Sequence, residues 1–241
     1  MPGLGNNFVI SEVEENDLGF SGLWSQPTNL ECGTMFLNSE LPNDIFFNKL
    51  TNITCISESM IDEALAVFHK YKTMPFVYSL NYSELETMLQ KRNFIHHDTQ
   101  HALKKSDSTT KTSNAHRITN ADSMLWSKTF CEAYDCYEWI SPVDRIVKKT
   151  LSSIEYYVDE SISSCMALYE KNSILGLYCL GTIPSMRRKG LADSLIAFAQ
   201  NKVNQRKLKF LMLETYEKDN LLDFYSKLGF QEIYQKNIFT I

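Results

Sequence analysis

The chain reads as an α/β protein with a mixed central sheet, arranged as two successive units. Three observations carry this reading. The 241 residues are 44% hydrophobic, enough to bury real cores, and one or two units of roughly 100–150 residues are natural at this length. Strand-like segments alternate with segments whose apolar residues recur at helical steps. A polar stretch, Lys104 to Asn114 (KKSDSTTKTSN), has no large apolar residue and separates two halves. The boundaries that follow are 1–105, a linker at 106–115, and 116–241.

In the first half, Ile61–Tyr71 is an expected amphipathic helix, Pro75–Leu80 a strand, Ser83–Arg92 a helix and Phe94–Leu103 a strand. In the second half, Ala121–Tyr134 is expected to be helical, with Asn120 as its N-cap. Ser141-Pro142 opens another helix, with proline at its first position. Strands are expected at Ile154–Val158, Ile162–Tyr169 and Ile174–Thr182, the last two joined by the polar turn EKNS. From Gly190 a helix follows, because Ala192, Leu195, Ile196, Ala199 and Val203 form one apolar stripe. Lys209–Thr215 (KFLMLET) is a nearly continuous apolar run, as a central strand buried on both faces requires. Leu221–Leu228 is a short helix ended by Gly229, and Phe230–Ile241 supplies a final strand or hairpin. The first half is a weaker copy of the end of this pattern: Leu85–Phe94 can be laid on Leu221–Phe230, and Asp62–Phe68 on Ala192–Phe198.

The net charge of −5 argues against a nucleic-acid binder working by bulk charge. No stretch approaches the roughly 18 apolar residues that span a bilayer, and the N-terminus has no basic region leading into an apolar run. The six cysteines follow no metal spacing and are expected to be reduced thiols of a cytoplasmic protein. The histidines form no site either. His96, His97 and His101 share an expected strand, where His96 and His97 point to opposite faces.

Chemistry concentrates in Ile174–Ala192, ILGLYCLGTIPSMRRKGLA. A strand runs into a proline, a basic loop and a glycine at a helix start. Helix N-termini leave backbone N–H groups without partners and carry partial positive charge, so an accessible one can seat a pyrophosphate. Gly190 permits close approach, Ala192 leaves space, and Arg187, Arg188 and Lys189 add positive charge to an acidic chain.

Arg187–Ala192 resembles the R/Q-x-x-G-x-G/A pyrophosphate loop of the GNAT (Gcn5-related N-acetyltransferase) superfamily, with Ala192 in place of the commoner glycine. FYSKLGF (Phe224–Phe230) resembles that family's second signature, a helix end bearing a tyrosine ahead of Gly-Phe. The resemblance covers about residues 116–241. It implies a GNAT fold whose fourth strand, Leu177–Thr182, splays from the fifth, Phe210–Thr215, preceded by a degenerate GNAT-like unit of the tandem type. In that first unit the loop counterpart, SESMID (Ser57–Asp62), has neither glycine nor arginine, and Leu89 stands where Tyr225 stands in the second.

By the same resemblance the chain is an N-acetyltransferase. It would take an acetyl or other acyl group from acetyl-CoA and pass it to a small-molecule or peptide amine by direct attack in a ternary complex. Backbone groups of Leu180 and Thr182, flanking Gly181, would pair with the pantetheine arm. Backbone N–H groups of Arg188, Lys189, Gly190, Leu191 and Ala192 would hold the pyrophosphate, with Arg187 opening the loop and Asn220, Phe224 and Tyr225 completing the cofactor site. Tyr225 would protonate the departing thiolate. Glu214 is the candidate base, beside water relays or an amine already deprotonated. Tyr178 and Cys179 would face the substrate, a Cys179 nucleophile being the less favoured route because a strand cysteine usually packs in a core. No metal, nucleic acid or membrane is implied, and the oligomeric state is left open, a homodimer included. The alternative is a CoA-binding sensor or scaffold of the same fold without activity.

Overall fold

The structure, a computed structural model, describes residues 4–106 and 113–241, with side chains from Phe8 onward. The heart of the expected linker, residues 107–112, lies outside the described residues. In chain order the elements are α1 (Leu4–Trp24), β1 (Gln26–Leu30), β2 (Gly33–Leu37), β3 (Lys49–Thr51), α2 (Glu58–Lys70), β4 (Phe76–Ser79), α3 (Ser83–Lys91), β5 (Ile95–Lys105), β6 (His116–Arg117), α4 (Ser123–Ala133), α5 (Ile140–Thr150), β7 (Glu155–Val158), β8 (Ser164–Lys171), β9 (Ile174–Thr182), α6 (Leu191–Arg206), β10 (Phe210–Tyr216), α7 (Leu222–Lys227) and β11 (Gln231–Thr240).

Two compact units draw on non-adjacent stretches of chain. The first takes residues 1–17, 103–213 and 224–231; the second takes 18–102, 214–223 and 232–241.

In the first unit the strand order is β10-β9-β8-β7-β6. β8 and β9 form a long antiparallel ladder, from Ser164↔Thr182 to Lys171↔Ile174. β9 and β10 are parallel, joined by α6, a crossover that a parallel pair requires. The predicted stripe of α6 is its buried face: Leu195, Ile196, Ala199 and Val203 are all at most 2% exposed. Trp126 of α4 is fully buried, stacks on Phe130 at 5.2 Å, and donates its indole N–H to the Met166 carbonyl at 3.1 Å.

In the second unit the order is β1-β2-β3-β4-β11-β5. β3 and β4 are parallel and joined by α2, while β2 and β3 are antiparallel. One apolar core holds Met60, Ile61, Ala64 and Phe68 of α2, Leu85 and Leu89 of α3, and Leu50, Val77 and Phe239 of the strands. The sequence therefore repeats an antiparallel pair followed by a parallel crossover: β2-β3-α2-β4, then β8-β9-α6-β10.

Helix α1 and the cysteines departed from the sequence reading. Helix α1 gave no periodic signal because it buries polar residues: Asn16, Asp17 and Ser21 are 0% exposed alongside Val13 and Phe20. And the cysteines are not all free. Cys32, after β1, and Cys55, before α2, form a disulfide with Cα atoms 5.3 Å apart, a separation inside the range such a bond spans. The turn and the loop that carry them meet only because β2 and β3 pair, which the spacing of the two residues did not disclose. Cys131, Cys136, Cys165 and Cys179 form no disulfide, and burial pushes the Cys165 thiol well above its usual range. Among the described residues, no helix is long and apolar enough to cross a membrane.

Candidate functional site

The site begins at an edge of β9. Its parallel pairing with β10 covers Phe210↔Ile174, Leu211↔Leu175 and Met212↔Gly176 only, so from Leu177 onward β9 keeps its β8 partner and leaves the ladder with β10. Ile183 N–H donates to the Ser163 carbonyl at 2.9 Å, and Gly181 lies opposite Cys165. Backbone groups in an antiparallel ladder alternate in direction. Gly181 and Ile183 therefore face β8, whereas Leu180 and Thr182 turn their N–H and C=O groups to the edge that β10 has left.

A bulge sits beside this edge. The register shifts between Cys165 and Ala167, so Cys179 and Leu180 together oppose Met166. Cys179 has φ of 53°, in the left-handed region. A bulge of this kind re-aims backbone groups and side chains at the point where regular pairing stops.

The strand ends in a short 3₁₀ turn at Pro184–Met186, then the basic loop. Arg188 has φ of 62° and Gly190 φ of 79°. Gly190 is the N-cap of α6, and among the described residues no side-chain hydrogen bond caps that helix. A Cβ added at Gly190 would meet no described residue within 4 Å, while the positive φ itself favours glycine. The first N–H groups of α6 thus sit uncapped at the positive end of a long helix. Arg188 and Lys189 are exposed beside them. Arg187 is engaged differently: its Nη2 donates to the Ala133 carbonyl at 2.8 Å and its Nε to the Thr182 carbonyl at 3.1 Å. It braces the loop against the end of α4. The neighbouring Tyr134 donates its hydroxyl to the Leu180 carbonyl at 3.0 Å.

Tyr225 lies on α7 and is 6% exposed, its ring between Phe224 at 5.2 Å and Phe230 at 5.6 Å. Gly229, at φ of 85°, ends the helix. Phe230 N–H returns to the Tyr225 carbonyl at 3.1 Å and Gly229 N–H to Ser226 at 2.9 Å, the paired bonds of a Schellman motif. Lys105 Nζ closes the same end, donating to the Leu228 carbonyl at 2.6 Å. Helix α3 ends identically: Asn93 has φ of 64°, Phe94 N–H returns to Leu89 at 3.0 Å and Asn93 N–H to Gln90 at 3.0 Å. The repeat seen in the sequence is a repeat of hydrogen bonding, with buried Leu89 in the place of Tyr225.

The remaining candidates have surroundings of their own. Glu214, in the second unit, has its side chain only 3% exposed, 3.4 Å from Lys236 Nζ, and accepts from Gln100 at 3.3 Å. Asn220 is exposed, caps a 3₁₀ turn in the left-handed region and donates to the Lys218 carbonyl at 3.1 Å. Tyr178 turns inward: its hydroxyl donates to Asn16 Oδ1 at 2.8 Å, and it is 6% exposed. Gly176 makes room for that contact, since a Cβ there would lie 2.4 Å from both Asn16 Oδ1 and the Tyr178 ring. His96 and His97 do face apart, His96 against Phe239 and His97 against Phe76. Among the described residues, no cluster of three His, Cys, Asp or Glu is placed to hold a metal ion.

Sequence reasoning missed Tyr134 and Lys105. Tyr134 sits just past an amphipathic helix, and its partner is 46 residues away. The strand expected to end at Leu103 runs on through Lys105 as β5.

Residues 132–239 match a family described as the acetyltransferase (GNAT) domain. No curated protein matches the chain in sequence. Solved structures share its fold at low identity. A GCN5-related N-acetyltransferase from Kribbella flavida aligns with a TM-score of 0.65 and 11% identity, over 100% of this chain and 96% of its own. A functionally unknown conserved protein from Staphylococcus epidermidis gives 0.65 and 11%, over 90% and 93%. A tandem GNAT protein from the clavulanic acid biosynthesis pathway gives 0.59 and 8%, over 87% and 78%.

Proposed function

We propose that this chain, a member of the GNAT superfamily through residues 132–239, is an N-acyltransferase that binds one acyl-CoA in its C-terminal half, at β9 and α6, and passes the acyl group directly to an amine. The observation that carries this reading is the conjunction of an unladdered β9 edge with an uncapped, glycine-led α6 N-terminus immediately after it. The edge offers the backbone of Leu180 and Thr182 to the amides of a pantetheine arm. The helix start offers N–H groups of Gly190, Leu191 and Ala192 to a pyrophosphate, with Arg188 and Lys189 adding charge. Arg187 acts as a brace through the Ala133 and Thr182 carbonyls. We further read residues 1–105 as a degenerate GNAT-like unit and 106–115 as the linker to the catalytic region.

In the reaction the amine nitrogen attacks the thioester carbonyl, the C–N bond forms and the C–S bond breaks. A backbone N–H at the Cys179–Leu180 bulge would stabilise the developing oxyanion. The thiolate would take a proton from the Tyr225 hydroxyl, and the nitrogen would lose its own proton. Glu214 has the right element but not the right surroundings for that last step: its carboxylate is buried and engaged by Lys236 and Gln100. We therefore assign deprotonation of the amine to solvent.

Calorimetry with CoA, followed by acetyl-CoA turnover against a panel of amines with thiol-release detection, tests the reading. One site per chain and amine-dependent thiol release are expected. Binding without release for any amine would favour a CoA-binding sensor, and absence of CoA binding would sink both.

A further inference from the structure

We propose that Tyr134 is a displaceable stand-in for the cosubstrate, holding the Leu180 carbonyl until a pantetheine amide takes that acceptor over. The proposal rests on the acyl-CoA reading above. The register of β8 and β9 directs the carbonyls of Leu180 and Thr182 to the edge that β10 leaves. Both are already engaged by the chain itself: Leu180 by the Tyr134 hydroxyl at 3.0 Å, Thr182 by Arg187 Nε at 3.1 Å. These are the two acceptors an added strand would need, and an exposed row of such acceptors invites pairing with any extended chain.

The two donors are held differently. The Arg187 guanidinium makes a second bond, to the Ala133 carbonyl, so releasing Thr182 alone gains it little freedom. Tyr134 is 50% exposed, at the C-cap of α4. Its ring leans on Phe130, with centroids 4.7 Å apart. It passes so close to β9 that a Cβ at Gly181 would lie 2.9 Å from it. Glycine at 181 thus admits the ring across the strand, while the exposed side leaves a path by which the hydroxyl can withdraw into water. An incoming amide N–H replaces one donor by another, so the acceptor is satisfied before and after binding, and the cosubstrate must overcome the lost tyrosine bond.

The test is Tyr134→Phe, which removes the hydroxyl and keeps the ring packed. Dissociation constants are measured for CoA and for adenosine 3′,5′-diphosphate, which lacks the pantetheine amides. The variant is expected to bind CoA about 5-fold more tightly, equivalent to about 1 kcal/mol for one hydrogen bond, with the nucleotide constant unchanged. If Tyr134 is only a brace, CoA affinity will stay the same or weaken in the variant, and the proposal is overturned. An equal gain for both ligands overturns it too, since the effect would then not run through the amides. If the unaltered protein binds no CoA, the acyl-CoA reading itself has failed, and this proposal with it.

Discussion

The N-termini of α6 and α2 follow equivalent strands yet offer opposite chemistry. At α6 the cap is Gly190 in the left-handed region, with no side-chain cap bond and no described residue within 4 Å of where a Cβ would stand. At α2 the cap is Ser57, extended at φ of −141°, and its hydroxyl accepts from Met60 N–H at 3.2 Å. Arg92 then ties the first turn of α2 from outside, donating to the Glu58 carbonyl at 3.2 Å and pairing with Asp62. One helix start is led by a glycine without a side-chain cap, and the other is satisfied by the protein's own side chains. A serine at the cap contributes about 1 kcal/mol of helix stability through its side-chain bond, a bond that the glycine-led start of α6 forgoes.

The helix ends make the complementary point. The Schellman closures of α3 and α7 are the same, bond for bond, although one carries Leu89 and the other Tyr225. Closing a helix is a backbone matter that both units need. A phenol at that position is not, and we expect it to be the more consequential of the two differences.

Removing the Tyr225 hydroxyl should have the largest effect. Tyr225→Phe is expected to lower turnover by about 10²–10⁴, the usual range for losing a positioned acid, with CoA affinity within a few-fold of the original. The fall should shrink with an acyl donor whose thiol is more acidic. Steady-state kinetics together with calorimetry checks this; equal losses in binding and turnover would make Tyr225 a cofactor contact instead.

Gly190→Glu comes next. It places bulk and a negative charge at the start of α6 and strains a backbone of positive φ. CoA affinity should fall at least on the order of 10-fold, about 1.4 kcal/mol. Undiminished binding would show that the α6 N-terminus is not where the pyrophosphate sits.

The counterpart change, Ser57→Ala, should leave CoA binding untouched and reduce stability by about 1 kcal/mol, read from denaturant midpoints. A loss of CoA affinity here would break the contrast between the two helix starts.

The smallest effects should come from the helix ends. Gly229→Ala should destabilise by about 1 kcal/mol, because alanine does not readily adopt φ of 85°. Asn93→Gly, at φ of 64°, should shift stability by only about 0.5 kcal/mol, since asparagine already tolerates the left-handed region. Unequal behaviour in the opposite sense would mean that the two closures are not equivalent.

Much of this protein was written locally in its sequence. Helix α6 was legible because one apolar stripe, Leu195 to Val203, and one glycine specify both its buried face and its start. The central place of β10 was legible because a continuous apolar strand, KFLMLET, can hardly lie anywhere but inside a sheet. The repeat of Leu85–Phe94 in Leu221–Phe230 was visible because a helix closure places its left-handed residue and its following phenylalanine at fixed steps. What tertiary structure alone decided are pairings between distant residues. Helix α1 is amphipathic only with respect to partners such as Ile174 and Tyr178, to which Asn16 bonds across the fold. Cys32 meets Cys55 only once β2 and β3 are in register. The ownership of the β9 edge, Tyr134 on Leu180 and Arg187 on Thr182, depends on which way each carbonyl points, and that direction is set by the partner strand. Periodicity records which face a residue turns to the core. It does not record which hydrogen-bonding partner a backbone group finds, because that choice is made only when the neighbouring strand ends.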